Sequence, residues 1–143
     1  MVKVMLESEP AQLSGYESAE PRPFTTRSHG WQVGRHGRLW RPPTDVYETP
    51  DALIVRIEIA GMHEDDFSIS LSTRHLVIQG IRPDVSERRA YHRMEISFGE
   101  FLCEVELHLP VILDQVQAEY ERGFLRVVLP KQRAQRIHVE DVD

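Results

Sequence analysis

Beyond Thr44 the apolar residues fall on every second position. A period of two puts alternate side chains on opposite faces of an extended chain, so it predicts strands with one apolar face. Residues 52–59 read ALIVRIEI, with Leu53, Val55, Ile57 and Ile59 on one face and Arg56 and Glu58 on the other. Residues 67–71, FSISL, set Phe67, Ile69 and Leu71 against Ser68 and Ser70. Residues 75–81, HLVIQGI, are rich in β-branched side chains, which suit a pleated surface. In FLCEVELHL, residues 101–109, Phe101, Cys103, Val105, Leu107 and Leu109 point one way and Glu104, Glu106 and His108 the other. A short strand over 115–120 brings Val116, Ala118 and Tyr120 into phase. FLRVVL, residues 124–129, follows after Glu121-Arg122-Gly123, a turn whose glycine permits positive φ. Pro110 and Pro130 are expected strand stops, because proline has no N–H to give to a ladder.

No stretch predicts a long amphipathic helix; His63-Glu64-Asp65-Asp66 suits a single turn. Short strands with turn signals at intervals of roughly ten residues predict an all-β, immunoglobulin-like antiparallel β-sandwich. One face of each sheet is then buried and the other wet. Residues 82–98, RPDVSERRAYHRMEISF, break the rhythm. That is long for a sandwich hairpin, and long loops tend to carry function. Within it Tyr91 to Ile96 suits a short strand, and such a charged excursion can pair with a neighbour's sheet edge.

Both flanks lack the pattern. Pro10, Pro21, Pro23, Gly15, Gly30, Gly34 and Gly37 interrupt any period in the first part of the chain. We read residues 1–41 as a flexible N-terminal arm, 42–130 as the sandwich domain and 131–143 as a C-terminal tail. The arm is not purely polar: Met5, Leu6, Leu13, Tyr16, Phe24, Trp31, Val33, Leu39 and Trp40 are scattered along it. Two readings stand side by side, one in which they tuck onto the domain and one in which they serve partners. In the tail Ile137 and Val139 stand two residues apart and point to one side when the chain is extended. Two apolar knobs on a polar tail suit docking into a groove.

Composition narrows the picture. The 143 residues suit one domain with tails, long enough to bury a core without disulfide or metal staples. A net charge of -6 argues against bulk attraction to nucleic acid or anionic membrane. The single cysteine, Cys103, cannot form an internal disulfide and fits a reducing, cytoplasmic setting. The opening MVKVMLESEP offers no apolar stretch of the kind a secretory signal needs, and no run approaches the ~20 residues that span a bilayer.

Candidate chemistry is sparse. His29, His36, His63, His75, His92, His108 and His138 do not take metal-ligand spacing, and His63-Glu64 begins a zinc-protease pattern that Phe67 breaks. Neither a nucleophile elbow nor a phosphate loop is present. Asp65-Asp66 and Glu140-Asp141 read as solvated charge, and Cys103, in phase with Val105 and Leu107, reads as a buried structural thiol. Arg22, Arg27, Arg35, Arg38 and Arg41 with Trp31 and Trp40 could stack on single-stranded nucleic acid, but Glu7, Glu9, Glu17 and Glu20 dilute that charge. We therefore expect no catalytic residue, no metal, no cofactor, no nucleic-acid partner and no stable membrane insertion.

Taken in order, the motifs resemble the small heat-shock protein family, bacterial and archaeal type, from about Arg41 to Val139. Pro43 to Glu48 is similar to that family's first domain strand, and Ile59-Ala60-Gly61-Met62 with Asp66-Phe67 to its second and third strand region. Tyr91 to Glu95 with Phe98-Gly99-Glu100-Phe101 resembles its dimerisation loop, and Leu109-Pro110 its Leu-Pro step. Most diagnostic is AEYERGFL, residues 118–125, which matches the signature Ala-x-x-x-x-Gly-x-Leu. Arg122 stands where an asparagine is frequent, and Leu102-Cys103-Glu104 where relatives carry a basic residue.

The resemblance implies an alpha-crystallin domain and an ATP-independent holding chaperone that captures unfolding client proteins. It implies a strand-exchanged homodimer that assembles into a larger oligomer. Its dimer interface would use Val46, Tyr91, His92, Arg93, Met94 and Ile96. Ile137 and Val139 would be the oligomer anchor, in a groove of Phe67, Ile69, Leu71, Val116, Ala118 and Tyr120. Clients would meet Met5, Leu6, Leu13, Phe24, Trp31, Val33, Leu39 and Trp40 of the arm. The alternative is a related sandwich that serves as adaptor to an ATP-driven chaperone, which would lack the tail anchor and the loop strand.

Overall fold

The computed structural model describes residues 1–7, 39–134 and 137–142. Among the described residues eight strands form: β1 Val4–Leu6, β2 Thr44–Glu48, β3 Ala52–Glu58, β4 Phe67–Leu71, β5 His75–Arg82, β6 Gly99–Glu106, β7 Gln117–Glu121 and β8 Phe124–Pro130. They make two four-stranded sheets, ordered β1-β4-β5-β6 and β2-β3-β8-β7. Every pairing is antiparallel except β1 on β4, which is parallel.

The core is the set of in-phase residues. Leu53, Val55, Ile57 and Ile59 pack with Phe67, Ile69, Leu71, Leu76, Ile78, Phe101, Cys103, Val105, Leu125, Val127 and Leu129. Alternation decides the side: in β4 Phe67, Ile69 and Leu71 are buried while Ser68 and Ser70 are half-buried. Cys103 is a free, fully buried thiol whose Sγ lies 3.3 Å from the Thr44 hydroxyl. Ile54 is buried too, on the opposite face of β3 from the core, in register with Tyr47 and Val128.

Two glycines fix the geometry. Arg122 (φ 51) and Gly123 (φ 82) both lie in the left-handed region and join β7 to β8 with Glu121 paired to Phe124. Positive φ at both central positions is what a two-residue type I′ hairpin requires. Gly80 has no room for a side chain: a Cβ there would meet the Asp66 carbonyl oxygen and the Phe101 ring, each at 2.8 Å.

Several boundaries differ from the alternation. The β6 ladder ends at Glu106, short of Leu109, because its partner β5 begins at His75. The side-chain alternation nevertheless continues, with Leu107 buried and Leu109 packed on the core. Gln115 closes a 3-10 turn over Leu113–Gln115, so the next strand starts at Gln117. Glu64–Asp66 forms a single 3-10 turn, with the Asp66 carboxylate accepting from the His63 N–H at 2.9 Å.

The reading of residues 1–41 as a flexible arm does not hold at its ends. Val2 is 4% exposed and β1 is paired, because the edges of β4 and β7 offer it backbone partners and an apolar floor. Trp40 joins the sheet beside β6 through Trp40 N–H to Glu100 O (3.2 Å) and Leu102 N–H to Trp40 O (3.1 Å). Its ring lies 5.7 Å from that of Phe101 and its Nε1–H donates to Gly99 O at 3.2 Å. Among the arm's apolar residues, Leu13, Phe24, Trp31 and Val33 lie outside the described residues.

Candidate interaction surfaces

The sandwich has two distinct edges. At one, β4 and β7 border a groove between the sheets. Its floor holds Phe67, Ile69, Leu71 and Ala118, all buried, with Val116 and Tyr120 partly buried against the core. Tyr120 ties the sheets together: its hydroxyl donates to the Ile59 carbonyl at 2.8 Å and its ring lies 5.0 Å from Phe67. The expected groove residues are thus brought together. The groove is occupied, which the sequence reading did not anticipate. The Val2 N–H donates to the Ala118 carbonyl at 2.8 Å, Val4, Met5 and Leu6 run in register with Ile69, Ser70 and Leu71, and the Glu7 N–H donates to Leu71 O at 2.9 Å. Val2 and Val4 face the core, Leu6 shares their face opposite Leu71 but is half-exposed, and Lys3 and Met5 point outward.

At the other edge, β2 is the terminal strand, and among the described residues no strand pairs with its outer side. Val46 shares the inward face of Val55 yet is 47% exposed. Asp45 and Tyr47 are held from β3 by Arg56, whose guanidinium donates to Asp45 at 2.6 Å and lies 5.6 Å from the Tyr47 ring centroid. Residues 83–98 form no strand within the single chain. Tyr91, His92, Arg93, Met94 and Ile96 are all exposed there, Met94 at 66% and Ile96 at 64%.

The loop is nevertheless organised. Arg82 Nε donates to Ser97 O at 2.8 Å, its Nη2 donates to the same oxygen, and the guanidinium lies 4.4 Å from the Trp40 and 5.3 Å from the Phe98 ring centroid. This latch closes the base of the loop. Farther out, Arg89 bonds Asp84 at 3.1 Å and the Val85 carbonyl at 2.6 Å, beneath the Tyr91 ring. The hydrogen bond from Arg56 to Asp45 raises the Arg56 pKa against the effect of desolvation. At Arg89 desolvation is outweighed by the hydrogen bond and charge of Asp84, and its pKa rises as well. Both guanidiniums therefore stay charged.

In the tail, Ile137 is 86% and Val139 81% exposed. Among the described residues no group of three or more His, Cys, Asp or Glu could hold a metal ion, and no helix is long and apolar enough to cross a membrane.

Among the described residues the sandwich thus has a filled groove at one edge and a bare strand at the other. Residues 45–143 match the model of the Hsp20/alpha crystallin family. Among curated relatives, the chain is 32% identical over 114 residues to Spore protein SP21 of Stigmatella aurantiaca, covering 76% of this chain and 66% of that protein. It is 29% identical over 92 residues to Small heat shock protein C2 of Rickettsia felis, covering 63% of this chain and 60% of that protein. The aligned region thus spans less than two thirds of either relative. A small heat-shock protein of Xylella fastidiosa, described as having a distinct high order structure, superposes with a TM-score of 0.65 at 23% identity over 74% of this chain and 99% of that one. This chain belongs to the Hsp20/alpha crystallin family.

Proposed function

We propose that this protein is an ATP-independent holdase that binds unfolding proteins under heat or other stress and suppresses their aggregation. The observation that carries the reading is the family match over residues 45–143. It falls on a sandwich that presents strand edges and apolar side chains. Capture of a client by burial of its apolar surface needs no nucleotide. The arm is the client-binding element: Met5, Leu6 and Leu39 are exposed, and Trp40 is partly withdrawn onto Phe101.

The working unit is a homodimer in which the Tyr91–Ile96 segment of one copy pairs with β2 of the other. Two features support this: among the described residues no strand pairs with the outer side of β2, and Val46, Met94 and Ile96 are exposed on either side of the expected contact. Ile137 and Val139 then link dimers into larger oligomers. Burying each contributes about 1.5–3 kcal/mol, and ordering the tail costs about 1–2 kcal/mol per residue. One docking is therefore weak, and repetition around an oligomer makes it cohesive. A buried free thiol at Cys103 suits the cytoplasm.

The test is light scattering from a heat-labile protein, with and without this chain, in the absence of ATP. Suppression at near-stoichiometric ratios is expected. Deleting residues 1–40 should abolish it; if suppression survives, client binding moves to the sandwich. No suppression at any ratio would overturn the holdase and favour the adaptor reading.

A further inference from the structure

The groove between β4 and β7 can satisfy one incoming strand at a time. Its edge groups are already engaged by residues 2–7, through Val2 N–H to Ala118 O at 2.8 Å and Glu7 N–H to Leu71 O at 2.9 Å. Val2 and Val4, two residues apart, supply the inward side chains. The chain carries a second segment with the same spacing, Ile137-His138-Val139, and its two apolar side chains stand in solvent at 86% and 81% exposure. Residues two apart in extended chain point to one side, so both segments offer the same pair of knobs.

We infer that Val2–Leu6 is a built-in occupant of the groove, and that the Ile137-His138-Val139 tail of a second copy must displace it in order to dock. The inference rests on the reading of the tail as an anchor for this groove. Two segments that need the same backbone edges and the same floor exclude each other. The tail's apparent affinity is then reduced by the fraction of time the groove stands open. Exclusion also works in the other direction: each docked tail releases residues 2–7 from the groove and uncovers Val2 and Val4. Assembly through the tail and exposure of Val2 and Val4 thus become one event.

The experiment follows assembly of the full chain by light scattering across a dilution series. In Val2→Ser/Val4→Ser the occupant is weakened, and the concentration at the assembly midpoint should fall about tenfold or more, a shift equivalent to about 1.4 kcal/mol. In Met5→Cys/Ser70→Cys the two cysteines stand on register partners of β1 and β4. Oxidation should lock the occupant in and hold the protein at small species, and reduction should restore the larger ones. Native Cys103 is fully buried and does not compete. If the serine variant does not fold, the oxidised and reduced forms of the cysteine variant decide alone. Equal assembly with the occupant locked and released overturns the inference, and if Ile137→Ala/Val139→Ala still shrinks the assemblies, the tail retains an anchoring role at another place. If Ile137→Ala/Val139→Ala leaves the mass unchanged, the anchor reading falls, and the competition with it.

Discussion

The two edges of the sandwich are built from the same material and left in opposite states. The β4/β7 edge is apolar beneath and covered: Val2 is 4% exposed on a floor of Leu71 and Ala118. The β2 edge is open among the described residues, and Val46 is 47% exposed although it shares a face with fully buried Val55. An uncovered strand edge is a template for another chain, and proteins that do not use such an edge blunt it. Here one edge is blunted by the chain's own first residues. The other has no strand on its outer side among the described residues. The difference separates states: the filled edge is satisfied within each copy, and the open one has no strand partner among the described residues.

That division can be broken or sharpened by mutation, and the largest effect should come from the filled edge. Leu71→Ala removes a fully buried side chain from the groove floor and should lower unfolding stability by about 3 kcal/mol in urea titrations. Val46→Ala, on the open edge, should change the stability of a single copy by no more than about 0.5 kcal/mol. Equal losses at the two sites would erase the distinction. Next, replacing residues 91–96 by a Gly/Ser linker should raise the dimer dissociation constant about a hundredfold, measured by analytical ultracentrifugation. Met94 and Ile96 would each bury about 1.5–3 kcal/mol of apolar surface in that contact. The unfolding midpoint of the separated copies should stay in place.

Val2→Ala probes how firmly β1 is seated. Losing the equivalent of two buried methylenes should cost about 1.5 kcal/mol, read as a lower urea midpoint, and no change would mean that β1 adds nothing to the fold. The smallest effect lies away from both edges. Arg122 occupies the left-handed region at φ 51, which is unfavourable for a residue with a Cβ and better tolerated by asparagine. Arg122→Asn should raise stability by roughly 0.5–1 kcal/mol, without altering assembly.

Much of the sandwich was legible from alternation alone. Leu53, Val55, Ile57 and Ile59, then Phe67, Ile69 and Leu71, then Phe101, Cys103 and Val105 are buried as the period of two required. The Arg122-Gly123 turn was legible because a tight hairpin needs positive φ where glycine stands. The seat of β1 was not legible. VKVMLE has no period long enough to declare a strand, and its pairing depends on a groove assembled from residues more than sixty positions away. Trp40 was left open between tucked and free for the same reason; its partners Phe101, Gly99 and Arg82 come from other strands. Strand ends shifted where the partner strand ran out, as at Glu106 opposite His75, because a ladder needs two chains and a sequence pattern describes one. Burial of Ile54 on the outer face also escaped the alternation, which assigned that face to water.

Amide hydrogen exchange on the full chain, followed by mass spectrometry while the protein is diluted through its dimer–monomer transition, tests the contrast between the edges most directly. Residues 2–7 should be protected alike in monomer and dimer, since their partners Ala118, Ile69 and Leu71 lie in the same copy. Protection of the outer side of β2 and of residues 91–96 should appear only as dimers form. Residues 2–7 exchanging like an unstructured chain at all dilutions, or β2 and the loop protected equally in monomer and dimer, would contradict it.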